Sequence, residues 1–241
     1  MRRVLCAALL LTAGAAGALP SFGEVRAAHR VSDFTLLDRR GEPLQTLRLD
    51  KTRRALSWVP LAEMSPALLQ ALLLSEDRRF YEHSGVDWSA VASSAWANLW
   101  NRRTRGASTL TMQLAGLIEE DLARPGNGRS VAQKLGQVLV AKQLEARWSK
   151  AQILEAYLNS VPFRGELVGI NALSQTLFGK VPAGLDAQEA ALAAALLRAP
   201  NAQPALVTQR ACAVLTEQRL SCAGVEGLLA AALARRAGMP L

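Results

Sequence analysis

Histidine and cysteine are scarce. Two histidines and three cysteines stand in 241 residues, and none of them forms a Cys/His group with zinc spacing. Aromatic residues make up 5% of the chain, while Ala and Leu are abundant, a balance that favours helices over sheet. There is no internal repeat and no long low-complexity tract, which excludes a solenoid or an extended disordered binder. No apolar run reaches the roughly 20 residues that a spanning helix needs. Acidic residues are outnumbered, 20 against 28 basic, giving a net charge of +8 and a pI near 10.1. Such a chain suits an acidic partner: nucleic acid, an anionic membrane surface or a phosphorylated substrate. Its length allows one sizeable domain, or one domain with a small lobe.

The N-terminus narrows that choice. "MRRVLCAALLLTAGAAGALP" sets two arginines before an apolar run from Val4 to Leu19, closed by an A-x-A pattern at Ala16 to Ala18. It reads as a secretory signal or an uncleaved anchor within residues 1–30, and export argues against nucleic acid as the partner. Cys6 lies too early in the run for lipoprotein processing. In an exported domain Cys212 and Cys222 form either a disulfide or a pair of small helix-packing residues, and spacing alone leaves both open.

After this segment the pattern is mainly α. Residues 33–50 alternate and turn at Arg40-Gly41, as a short β-hairpin does. Pro60 opens a helix to residue 75 with a stripe of Leu61, Leu68, Leu69, Leu72 and Leu73. Asp87 caps a second helix to 101, and Ser108 opens a third to 118. Residues 123–130 are a loop, Ser130 caps a helix to about Arg147, and Ser149 caps the next. Helix resumes near Gly169 and again from Asp186 to Ala199, followed by a helical tail over 216–241.

One stretch poses a chemical question. "LLLSEDRRFYEHSGVDW" places Glu76 and Asp77 at the end of a Leu run, where a buried charge is costly. Either these acids cap and pair locally, or one is a working acid or base. On the helix from Val131, the residues Lys134, Gln137, Ala141 and Glu145 share one arc of about 80°. That arc is a poor core face; it lines a polar cleft or is simply solvated.

Five ordered motifs decide between these readings. Glu76, Asp77, Phe80, His83 and Gly85 fill E-D-x-x-F-x-x-H-x-G. "GASTLTMQ", Gly106 to Gln113, is similar to G-x-S-T-x-T-x-Q. Lys134, Gln137, Leu144 and Glu145 resemble a third signature. Ser149, Lys150, Ile153 to Glu155 and Tyr157 to Asn159 complete a fourth. "FRGELVGINALSQTLFGK" resembles a fifth. In order and spacing, residues 33–215 resemble the family 51 peptidoglycan glycosyltransferases. "KLGQ" and "VPFRGELVGINAL" are similar to the penicillin-binding protein 1C branch. The chain is expected to lack that branch's transpeptidase domain, since no S-x-x-K stands in a suitable place.

The resemblance implies a lysozyme-like helical lobe over 31–215 with a smaller membrane-facing jaw. It implies polymerisation of lipid II into β-1,4 glycan strands with release of undecaprenyl pyrophosphate. Glu76 matches the catalytic base, and a poorly solvated carboxylate is a better one. Lys134 matches the lysine on the pyrophosphate-sugar. Ser108, Thr109 and Gln113 match residues that order the cleft and meet substrate. Gln137, Glu145 and Arg147 complete the expected substrate-binding set. Asp77 is expected to pair with Arg78 or Arg79 or to hold the loop, and His83 to hydrogen-bond structurally. Trp96 and Trp100, followed by "RRTR", suit a membrane interface or an ordinary core. A divalent cation, Mg2+ or Mn2+, is expected at most on the substrate pyrophosphate, with no protein-held cofactor. The implied setting is the periplasmic face of the bacterial inner membrane, with lipid II, the growing strand, the membrane surface and a separate transpeptidase as partners.

Met112 stands where many members carry another Gln, and two further departures stand out. Gln137 replaces a glutamate found in many members, and an amide cannot titrate. Gly116 stands where many members carry a lysine; Arg102, Arg103, Arg105, Arg124 and Arg129 are the nearby cations in sequence. These departures keep open a lipid-II-binding accessory protein, and the lone catalytic Glu keeps open a glycan-cleaving enzyme.

Overall fold

The computed structural model describes residues 19–99, 108–122 and 131–235, with side chains omitted at 43, 94–99, 120–122 and 131–135. The chain order is α1 (Phe22–Ala28), β1 (Asp33–Leu37), β2 (Pro43–Arg48), β3 (Arg54–Ala55), α2 (Pro66–Glu76), α3 (Trp88–Leu99), α4 (Leu110–Leu122), α5 (Val131–Arg147), α6 (Lys150–Ser160), β4 (Leu167–Val168), α7 (Gly169–Leu173), α8 (Ala187–Arg198), α9 (Pro204–Glu217) and α10 (Val225–Ala234). The fold is mainly α with one small antiparallel hairpin, as expected. The apolar N-terminal run to residue 18, Trp100, the cited arginines at 102–105, 124 and 129, and Ser130 lie outside the described residues. The side chains of Trp96 and Lys134 do too.

The core is built around α8. Every residue from Glu189 to Leu197 is buried, so this helix is apolar on all sides and is wrapped by α2, α9 and α10. Its alanines let the neighbours approach closely, while Leu192 and Leu196 each gain about 1.5–3 kcal/mol from burial. Asp186 caps it in a reciprocal box with Glu189. The first long helix starts later than its Leu stripe suggests. Pro60 leads only a 3-10 turn, Leu61–Glu63, and α2 begins at Pro66, whose fixed φ suits the first helical position.

A second layer holds α4 against α5 and α6. The hairpin pairs Phe34 with Leu47 and Thr35 with Thr46, and Asp38 accepts the backbone N–H groups of Arg40 and Glu42 at its turn. It stands off the core, with Phe34 and Leu36 about half exposed. Strand β3 runs parallel to β4, tying the front of the chain to the segment after α6. Cys212 of α9 and Cys222, just before α10, form a disulfide with Cα atoms 5.2 Å apart, which settles the alternative the spacing left open.

Candidate active site

Helix α2 ends at Glu76 because Asp77 leaves helical geometry, with φ −156° and ψ 78°. Asp77 faces inward. Its two oxygens each lie 3.0 Å from His83 Nε2, and Oδ2 also accepts the N–H of Leu110 at the start of α4. Of the two expectations for Asp77, pairing with Arg78 or Arg79 is corrected, and holding the loop is what the structure shows. Arg79 pairs with Asp87 and Arg78 with Glu217, because the turn after α2 throws both arginines outward. Asp77 instead fastens the loop to α4. The Arg79 guanidinium holds the Asp87 carboxyl well below the usual carboxylate range, with the N–H of Ala90 assisting as Asp87 caps α3.

The other positions of the first motif are explained by packing. Phe80 is fully buried. Gly85 has φ 87°, and a Cβ there would sit 2.8 Å from the carbonyl oxygen of Ala141 on α5. Its own carbonyl accepts from Thr109 Oγ1 at 2.6 Å. Thr109 also accepts the N–H of Met112, so the cap of α4 is Thr109 and not Ser108, which is exposed one residue earlier.

Glu76 opens onto a cleft of about 420 Å³ lined by Ser75, Arg79, Ser108, Thr109, Gln113 and Arg198, among others. One carboxylate oxygen, Oε2, accepts from Gln113 Nε2 at 3.2 Å; the other, Oε1, faces Ser75 Oγ at 3.1 Å. Gln113 in turn accepts from the Tyr157 hydroxyl at 2.7 Å. Tyr157 is buried, and its hydroxyl is held well above the usual phenol range by that burial and by the Glu76 charge. Asp77 and Asp87 are already engaged, and no group of three or more metal-ligating residues occurs among the described residues. Among the described residues, therefore, no group of side chains fits a protein-held divalent cation.

The expected substrate residues separate. Ser108, Thr109 and Gln113 meet Glu76 in the cleft. Glu145 does not line it: its carboxylate accepts from Thr111 and Lys150, both at 2.7 Å. Lys150 also reaches the carbonyl of His83 at 2.6 Å and lies over the Phe80 ring. Arg147 is exposed and donates to the carbonyl of Leu19. Gln137 lies against Gly116, with its Nε2 2.8 Å from where a Cβ at 116 would stand. These two departures from the family pattern are thus in contact, on facing helices.

Arg198 carried no usable signal in the sequence, and Tyr157, a position of the fourth motif, carried none for its partner. Arg198 closes α8 and lines the cleft without an acidic partner among the described residues. A basic residue in a helix's last turn is ordinarily read as a dipole partner. The Tyr157 contact with Gln113 spans 44 positions and follows only from the packing of α6 on α4.

Apart from Tyr157, the capping and packing positions of the fourth motif are scaffold. Ser149 caps α6 in a box with Gln152. Glu155 accepts from the Trp58 indole and the N–H of Leu61, and the Asn159 amide pairs both ways with the backbone of Val59. Motif, spacing and geometry now stand together, and the transglycosylase family model matches residues 40–219. The chain belongs to the transglycosylase family. A biosynthetic peptidoglycan transglycosylase from Rhodospirillum centenum is 37% identical over 202 residues, covering 80% of this chain and 84% of that protein. Penicillin-binding protein 1C from Escherichia coli is 42% identical over 144 residues, 59% of this chain but 18% of that protein. A biosynthetic peptidoglycan transglycosylase from Pasteurella multocida is 38% identical over 143 residues, 59% of this chain and 56% of that relative.

Proposed function

We propose that this transglycosylase polymerises lipid II into β-1,4 glycan strands, with Glu76 as the general base. The observation that carries the reading is the Glu76 carboxylate at the end of α2, open to a cleft and oriented by Gln113. Glu76 takes the proton of the acceptor sugar's 4-hydroxyl as that oxygen attacks the anomeric carbon of the growing strand. The bond from that carbon to the pyrophosphate oxygen breaks, undecaprenyl pyrophosphate departs and configuration inverts. Developing charge on the leaving group calls for cations. Arg198 supplies one at the cleft, since Arg78 and Arg79 are already paired. Lys134, by its motif position on α5, supplies another; Ser108, which is exposed, hydrogen-bonds the sugar, while Thr109 fixes the start of α4 at the cleft. Glu145 and Arg147 act on this site only through the scaffold. Any Mg2+ or Mn2+ travels with the substrate pyrophosphate, and no step depends on a protein-held metal.

The family acts in the cell envelope. We place this chain on the outer face of the inner membrane, with residues 1–30 directing export and a separate transpeptidase cross-linking the product. No helix among the described residues is long and apolar enough to cross a membrane.

The lobe and the lone glutamate also suit a glycan-cleaving enzyme, so product size is the test. Purified protein given lipid II is expected to yield long lysozyme-sensitive strands and to leave isolated cell-wall sacculi intact. Soluble fragments from sacculi, with lipid II unconsumed, would reverse the assignment.

A further inference from the structure

We propose that Tyr157 is a positioning residue for Glu76, acting through the side-chain amide of Gln113. The inference rests on the reading of Glu76 as the base and adds the device that aims it.

An amide presents a donor and an acceptor of nearly equal shape, so its two orientations must be chosen by its neighbours. Here the neighbours are Glu76 Oε2 at 3.2 Å and the Tyr157 hydroxyl at 2.7 Å. With Nε2 toward Glu76, the amide donates to the carboxylate and receives the phenol's hydrogen, so all three groups are satisfied. With the amide turned over, its carbonyl oxygen would face an acceptor-only carboxylate, and the phenol hydrogen would lose its acceptor in a buried position. Tyr157 is fully buried on α6, a helix pinned by its capping box and by Glu155 and Asn159. Its hydroxyl is therefore a fixed point, and Gln113 is a strut between it and the carboxylate.

The strut makes the two oxygens of Glu76 unequal. Oε2 is tied to Gln113, whereas among the described residues Oε1 faces only the rotatable hydroxyl of Ser75. Oε1 is thus the oxygen that receives the acceptor's proton. Without Tyr157 the amide is free to turn, and the carboxylate loses both its tether and its aim.

The test is steady-state polymerisation of lipid II by the full chain, comparing Tyr157→Phe, Gln113→Ala and the double variant. Tyr157→Phe is expected to lower kcat about tenfold with KM within about twofold, the size of one misaligned hydrogen bond in a transition state. In the Gln113→Ala background the same change is expected to lower kcat no further. Melting temperatures of the four proteins are read in parallel, and the two substitutions are expected to be non-additive there as well. Should Tyr157→Phe fold poorly, Gln113→Leu, which keeps volume but cannot bond either partner, is expected to give the same kcat loss alone. Full kcat in Tyr157→Phe, or independent losses that multiply in the double variant, would overturn the proposal while leaving Glu76 as base. A wild-type protein that makes no strands would overturn both.

Discussion

At Gly85 and Gly116 the same atom, a missing Cβ, does different work. A Cβ on Gly85 would meet the backbone oxygen of Ala141 at 2.8 Å while φ stays at 87°, and a helix backbone cannot give way. Gly85→Ala is therefore expected to cost at least about 2 kcal/mol, read by denaturant unfolding. A Cβ on Gly116 would meet only the far end of the Gln137 side chain, which can move. Gly116→Ala is expected to leave the unfolding midpoint nearly unchanged. Arg198→Gln, which removes a cleft cation without an acidic partner among the described residues, is expected to raise KM for lipid II several-fold with a smaller change in kcat; Arg198→Lys should restore most of the loss. An unchanged KM would remove Arg198 from the substrate site. Much at this scale was legible in the sequence. That Glu76, Thr109 and Gln113 belong together was readable from motif order, and the structure places them around one cleft. The partner of Asp77 was not, since adjacent arginines are the nearest charges in sequence but the turn after α2 points them away.

Helix α3 owes its start to Asp87, two residues beyond the first motif, and α4 to Thr109 of the second; the former gives a pH signature. Asp87 caps α3 and pairs with Arg79, and its carboxyl is held below the ordinary range. Stability from a depressed carboxylate is present above the unfolded pKa of about 3.9 and is lost as pH falls through the folded value. The wild type is thus expected to lose melting temperature from about pH 4 downward, and Asp87→Asn to lose less over the same window while starting lower at pH 7. Equal acid sensitivity in both would show that other groups set this dependence. Caps were readable at Asp87 and Ser149, where one polar residue precedes a periodic run. The cap of α4 shifted by one residue because Ser108 and Thr109 offer the same chemistry, and only the carbonyl of Gly85 selects between them. The boundary of α2 moved because the Leu stripe began before the second proline.

Across the whole molecule the site is a junction of α2, α4 and α8, braced from behind by α6. The disulfide lies far along the chain, joining α9 to the turn before α10, and α9 packs on α8. Closing a loop this short is worth about 2–3 kcal/mol. Cys212→Ser is expected to lower the melting temperature by several degrees while leaving kcat close to wild type. A large loss of kcat at temperatures where the variant stays folded would mean that α8 transmits strain to Arg198. Helical class and the front hairpin were legible from periodicity and turn residues. The packing of α6 behind Gln113 was not, because a contact over 44 positions leaves no local pattern.

The most direct test of the account compares the wild type with Glu76→Gln on lipid II and Mg2+, with strands resolved on a gel. The amide keeps the shape of the side chain and can still bond Gln113, but it cannot take a proton. The account predicts long strands from the wild type and none from the variant, with lipid II binding retained by both. Strands from Glu76→Gln at a comparable rate would contradict it, because the proton would then leave by a route that does not include Glu76.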